Sequence, residues 1–140
     1  MKAISLWQPW ASALMLGPAW KHHETRHWET RYRGRVMIHA AKRWTRDEVW
    51  ALSELRRAGF PLLGPLPLGA ILGYADLVAC MPTDALNPTV RDRAAGDWST
   101  GRYAWQFERH VLFAQPIPYR GAQGFFDVPG ELAAAPGAEG

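Results

Sequence analysis

Cysteine is nearly absent: Cys80 stands alone, so no intrachain disulfide can form. Its place in the apolar run Ala79-Cys80-Met81 reads as a small hydrophobe rather than a reactive thiol, because nothing electropositive lies beside it in sequence. Long apolar runs are missing too, none approaching the ~18 residues of a membrane span. The opening Met1-Lys2-Ala3-Ile4-Ser5-Leu6-Trp7-Gln8-Pro9 has neither the apolar core nor the cleavage pattern of a secretory signal. These absences predict a cytoplasmic protein with no membrane partner. No Gly-x-Ser-x-Gly elbow, Walker loop, dinucleotide fingerprint or internal repeat is found, which removes the commonest hydrolase, NTPase and Rossmann readings.

What is present is enough for one domain. The 140 residues, 48% hydrophobic, are sufficient to bury roughly two-thirds of the surface of the unfolded chain. The net charge of +3 is unevenly placed. Residues 1–57 hold 11 Lys/Arg against 5 Asp/Glu, and the remainder holds 5 against 8. That asymmetry suits a basic face that meets phosphates, although an ordinary solvated surface would look the same. Eight tryptophans are several times the usual share, and six of them lie in the basic half. Aromatics interleaved with cations are what stacking on unpaired bases requires, and they are also good filling for a small core.

Periodicity and punctuation give an α+β pattern. Lys2 to Leu6 reads as a strand, and Pro9 at a first helical position opens a helix through Trp10, Ala13 and Leu14 that Gly17-Pro18 stops. Glu24 to Thr30 reads as extended, with Glu24, Arg26 and Trp28 on one face. Val36, Ile38 and Ala40 share the core side of the next strand. Thr45 and Glu48 have capping-box spacing ahead of a helix whose stripe is Val49, Leu52 and Leu55 and which ends near Gly59. Residues 61–69 form a stiff loop, 70–79 a buried strand and 82–101 a long polar loop. Tyr103 to Phe113 alternates as a strand, Pro116-Ile117-Pro118 allows only an edge or a turn, and Gly124 to Val128 closes the set. The domain is expected over 1–130, with a disordered tail over 131–140. Five or six strands with two or three helices predict a small, partly closed mixed barrel.

Chemistry concentrates in Trp20-Lys21-His22-His23-Glu24-Thr25-Arg26-His27-Trp28. The guanidinium of Arg26 is a planar fork matched to phosphate or a base edge, and Lys21 is a compact charge that burial could turn into a base. The same residues also fit an exposed ion pair worth under ~1 kcal/mol. His22, His23 and His27 invite a zinc site, but no cysteine pair or second carboxylate cluster completes a tetrahedral set, so no metal is assigned. In Gly96-Asp97-Trp98-Ser99-Thr100-Gly101-Arg102, glycines would let amides approach an anion, with Ser99 and Arg102 as further donors; a plain turn reads equally well.

Several blocks together resemble the ASCH domain, of the activating-signal-cointegrator homology superfamily. They are Ser5-Leu6-Trp7-Gln8-Pro9-Trp10-Ala11, Lys21-x-x-Glu24-Thr25-Arg26-x-Trp28, Tyr32-Arg33-Gly34, Ile38-His39-Ala40-Ala41-Lys42, Gly96 to Trp105 and Gly121-x-x-Gly124. The resemblance implies a PUA-like β-barrel with helices flanking a cleft that binds RNA. Its Gly-x-Lys-x-x-Glu-x-Arg signature falls on Lys21, Glu24 and Arg26, with three residues here, not one, between Gly17 and Lys21. Some similar proteins hydrolyse acetylated cytidine, using the lysine as base and a threonine where this chain has Glu24. Others resemble metal-assisted ribonucleases.

The expectation is therefore an RNA, nucleotide or nucleoside ligand. Trp7, Gln8, Trp10, Arg26, Trp28, His39, Lys42 and Arg102 are expected to bind it. In the hydrolase alternative, a ribonuclease or an acetylcytidine amidohydrolase, Lys21, Glu24 and Ser99 are expected to be catalytic. No cofactor is implied, apart from a divalent metal in the ribonuclease case, and the oligomeric state is left open.

Overall fold

In the computed structural model, which describes residues 1–134, six strands form one mixed sheet. They are β1 (Lys2–Leu6), β2 (His23–Arg26), β3 (Gly34–Ala40), β4 (Ala70–Pro82), β5 (Tyr103–Pro118) and β6 (Phe126–Asp127), in the order β2-β5-β4-β3-β1-β6. The helices are α1 (Trp10–Met15), α2 (Arg46–Arg57) and α3 (Val90–Ala94). The sheet is not closed, with β2 and β6 at its two edges, an order compatible with a barrel-like PUA fold. Among the described residues β1 and β3 are the one parallel pair, with Ser5 opposite His39 and Leu6 opposite Ala40.

Alternation along these strands builds two cores, one on each face of the sheet. Ile4, Leu6, Val36, Ile38 and Ala40 face α1, together with Leu72, Leu77, Trp105 and Phe107. The intervening Ala3, Met37 and Ile71 face Phe113 and Val128 on the other side. Leu52 and Leu55 of α2 join Ala13 of α1, Phe60, Leu62 and Ala95 in a third cluster, each leucine contributing about 1.5–3 kcal/mol by leaving water. Gly73 has no room for a side chain, because a Cβ would run into the carbonyl of Val111, where β4 and β5 break register.

Several expectations need correction. Pro9 is the N-cap of α1, not its first residue, and follows a cis Gln8–Pro9 bond. The extended segment ends at Arg26 rather than at Thr30. The capping box at Thr45 is present as expected, but Val49 is exposed, and the buried residue of that turn is Glu48. Glu48 accepts from Thr45 and from Arg43 Nε at 3.0 Å. Burial would raise its carboxyl pKa, but these bonds outweigh burial and hold it below the usual carboxylate range.

The polar loop 82–101 is not bare: it contains a 3-10 turn (Thr83–Ala85) and α3, whose N-cap Thr89 accepts from Asp92 N. β5 runs on through Pro116 to Pro118, which is tolerated because β2 covers only Tyr103 to Gln106 and leaves the outer edge of β5 free beyond them. Of the expected tail, Gly130–Ala134 forms a 3-10 turn with Leu132 packed on the Met37 core, and 135–140 lie outside the described residues.

Candidate functional site

A cleft of about 1710 Å³ opens where the carboxyl ends of β1 and β3 meet β2, the segment 95–102 and the segment 118–124. Trp7, Trp10, Glu24, Arg26, Trp28, His39, Lys42 and Arg102 all line it. Most of the expected ligand-contacting residues, with Glu24, are therefore brought together from four separate stretches of chain.

One wall is charged. The side chain of Lys21 is fully buried behind the cleft surface, and its Nζ donates to Glu24 Oε1 and to the carbonyl of Ala95, both at 2.7 Å. The indole of Trp10 lies 5.5 Å from the same ammonium. The two extra residues between Gly17 and Lys21 are absorbed by a turn in which the carbonyl of Gly17 accepts from Trp20 N and Lys21 N at 3.1 Å.

Helix α3 fixes that turn from the far side. Arg91 donates to the carbonyl of Ala19 at 2.8 Å and lies 4.0 Å over the Trp20 ring. Asp92 Oδ1 accepts from the backbone of His22 at 2.8 Å and of His23 at 3.0 Å. Burial would raise the Asp92 carboxyl pKa, but the bonds and charge from His23 and the amide of His22 lower it further than burial raises it. Both imidazoles thus face Asp92, at 3.3 and 3.4 Å. Among the described residues no group of three His, Cys, Asp or Glu could hold a metal ion.

Arg26 is the anomaly of this wall. Among the described residues its Nε is buried without a hydrogen-bond partner. Burial pushes its pKa down from the ordinary arginine value, the carboxylate of Glu24 pulls it up, and the charge of Arg102 pushes it down again. Because a guanidinium does not deprotonate in practice, this direction marks a buried charge that the Glu24 carboxylate compensates only in part. Arg102 stays in place by donating to the carbonyls of Thr25 at 3.0 Å and Asp97 at 3.1 Å.

The other wall is mainly aromatic, with cations at its rim. Trp7 is half exposed at the rim, where Arg43 stacks 4.1 Å from its ring, and Arg43 is itself held by Glu48. Trp28 packs edge-on against Trp105 at 4.6 Å, so it belongs partly to the core. Lys42 lays its stem over Gly69, where a Cβ would come within 2.8 Å of its Cγ.

Besides Lys21, which lies behind the lining rather than on it, two more expected site residues lie elsewhere. Gln8 is fully buried; its Oε1 accepts from Ser12 N at 2.9 Å and its Nε2 donates to Ser12 Oγ and the carbonyl of Pro67. It thus caps α1, because Pro9 at the N-cap has no side-chain acceptor. Ser99 is exposed outside the cleft, and its hydroxyl donates to Asp97 Oδ1 at 2.6 Å. That bond, with the Ser99 amide on the same oxygen, lowers the Asp97 pKa. Thr25, expected on the opposite face from Glu24, also borders the cleft and accepts from Asp97 N at 3.1 Å. Sequence reasoning missed Asp92 and Ser5. The first sat in an apparent loop with only the Thr89-x-x-Asp92 cap spacing to mark it, and the second in a strand that looked purely structural.

Fold and cleft together define a PUA-like α+β domain with a basic, aromatic-lined hollow. The ASCH domain model matches residues 4–119, and the chain belongs to the ASCH domain family. The structure is similar to that of ASCH from Zymomonas mobilis, at 17% identity over 95% of this chain and 90% of that one, with a TM-score of 0.55. A serine-to-alanine mutant of the same bacterial protein superposes over 95% of this chain and 91% of that chain, at 19% identity and a TM-score of 0.52. No curated protein sequence matches this one significantly. Among the described residues no helix is long and apolar enough to cross a membrane.

Proposed function

We propose that the cleft binds single-stranded RNA or a nucleotide, with a phosphate between Arg26 and Arg102 and a base against Trp7 or Trp10. The observation that carries this is the orphaned, buried Nε of Arg26 beside a second guanidinium. Although the Glu24 and Asp97 carboxylates also line this hollow, with Asp97 Oδ2 3.7 Å from Arg102 Nε, the unspent donor of Arg26 is left for an anion, and an anion with planar rings suits the indoles nearby. The volume exceeds the ~300–1,000 Å³ of most small-ligand pockets, which favours a nucleotide or a short strand over a bare ion. Lys42, on the rim, adds a further cation for the backbone.

Fluorescence anisotropy with a labelled single-stranded RNA tests this. Affinity should fall steeply between about 50 and 200 mM salt, and Arg26→Met with Arg102→Met should weaken it at least tenfold. The same pair should reduce the slope of log K against log salt by about 0.7, the share of the single phosphate that the two guanidinia clasp. Binding indifferent to salt and to both substitutions would sink the reading.

A further inference from the structure

Ser5 and His39, the latter expected only as a ligand contact, form a hydrogen-bonded pair that the sequence pattern did not mark. They are register partners on the parallel strands β1 and β3, and Ser5 Oγ lies 2.8 Å from His39 Nδ1. Across the ring, Nε2 lies 2.7 Å from the carbonyl oxygen of Tyr119. A carbonyl only accepts, so Nε2 carries a proton. In the neutral ring Nδ1 is then a bare lone pair, and the serine hydroxyl is the donor to it. Burial pushes the His39 pKa below its ordinary value, and the bond to Tyr119 partly restores it. The ring is therefore neutral near pH 7 and able to take a proton.

The surroundings keep this pair both oriented and reachable. Phe126 meets the imidazole edge-on at 5.9 Å. Gly121 passes directly over it, where a Cβ would stand 2.6 Å from His39 Cε1 and 3.1 Å from Ser5 Oγ. Glycine thus lets the 119–124 segment close on the imidazole, while Ser5 stays half-buried on the cleft lining. Arg120, between the two residues that hold His39, also lines the cleft and places a cation on the same side.

We propose that Ser5 is an acyl-accepting nucleophile with His39 as its base, acting on carboxylic esters or amides that enter the cleft. In acylation Ser5 Oγ bonds to the acyl carbon and its proton passes to His39 Nδ1. The bond from that carbon to the leaving alcohol or amine breaks, and the leaving group takes the proton from Nδ1. Water then attacks the Ser5 ester and gives its proton to Nδ1, which returns it to Oγ as the carboxylic acid departs. The carbonyl of Tyr119 holds the ring throughout and favours the imidazolium while it exists, the part an orienting carboxylate plays in a serine triad. This goes beyond nucleotide binding and does not depend on it.

The test uses p-nitrophenyl acetate and the intact protein. The expected result is a burst of about one p-nitrophenol per chain, with acetyl mapped to Ser5 by peptide mass spectrometry. Ser5→Ala should lose the burst, His39→Gln should slow acylation at least tenfold, Ser5→Cys should keep it, and Ser53→Ala, on the exposed face of α2, should change nothing. Mapping acetyl in the unsubstituted protein needs no variant to fold. Acetyl found on lysines but not on Ser5, or an equal burst from a Ser5→Ala protein with unaltered circular dichroism, overturns the proposal.

Discussion

The two walls of the cleft are built by opposite means. The wall carrying Lys21, Glu24, Arg26 and Arg102 is held by charge and by chain from far away: Asp92 reaches back about 70 positions to His22, and Ala95 reaches 74 to Lys21. The wall carrying Ser5, Trp7, His39 and Lys42 is held by sheet register, in which β1 and β3 run parallel and deliver their carboxyl ends side by side. Loops beyond the carboxyl ends of parallel strands are where open α/β sheets place ligands, and this short parallel pair does the same inside a mostly antiparallel sheet. The difference teaches where each wall is vulnerable. A charged wall fails when one partner is lost, whereas a register-built wall tolerates side-chain loss and gives up only what that side chain did.

The sharpest way to break that contrast is Lys21→Met. It leaves the Glu24 carboxylate buried and unpaired and should cost about 3–5 kcal/mol in urea unfolding, while Lys21→Met with Glu24→Met recovers most of it. If the single and double variants unfold alike, the pair is not what holds the wall. Asp92→Asn comes next, at about 1–3 kcal/mol, because the neutral amide keeps an acceptor but loses the charge facing both histidines.

The acid limb of stability sharpens the same point. Asp92 and Glu48 both titrate below their ordinary values in the folded chain. Their contribution is complete above the unfolded carboxylate range of about 4, and it is lost as pH falls through the lower folded values. Denaturant midpoints should therefore drop below about pH 4, less steeply in Asp92→Asn. The smallest stability change belongs to the register-built wall: Trp7→Ala should cost under ~1 kcal/mol of folding, since its cation–π contact is at an exposed rim. The same substitution should weaken RNA binding by about 1–3 kcal/mol if a base stacks there.

Local signals carried much of the fold. The β1 strand, the core side of β3 and the Thr45 capping box could all be read in the sequence, because each is set within a few residues. The stripe of α2 misled at Val49, because the cap draws Glu48 inward to meet Arg43. Helix α3 went unread: five residues make too short a period to register, and its stability comes from contacts with residues 19–23 that no window on 82–101 contains. The cleft's membership was legible through the family motif, but roles within it were not. Gln8 and Ser99 have the right chemistry in the right blocks, yet one caps a helix and the other closes a turn. Ser5 escaped notice because its value lies in being opposite His39, which is a fact about register.

Trp105 is completely enclosed, its indole nitrogen donating to the carbonyl of Trp28, whereas Trp7 stands half in water at the cleft mouth. The molecule thus carries a spectroscopic reference and a sensor of the same chromophore. Emission from the enclosed indole should be blue and deaf to added acrylamide, and that from the rim should be red and quenched. With the exposed Trp44 and Trp50, which lie outside the cleft, replaced by phenylalanine, a titrant that stacks in the cleft should dim the red component and leave the blue one, which lets occupancy be followed without any label.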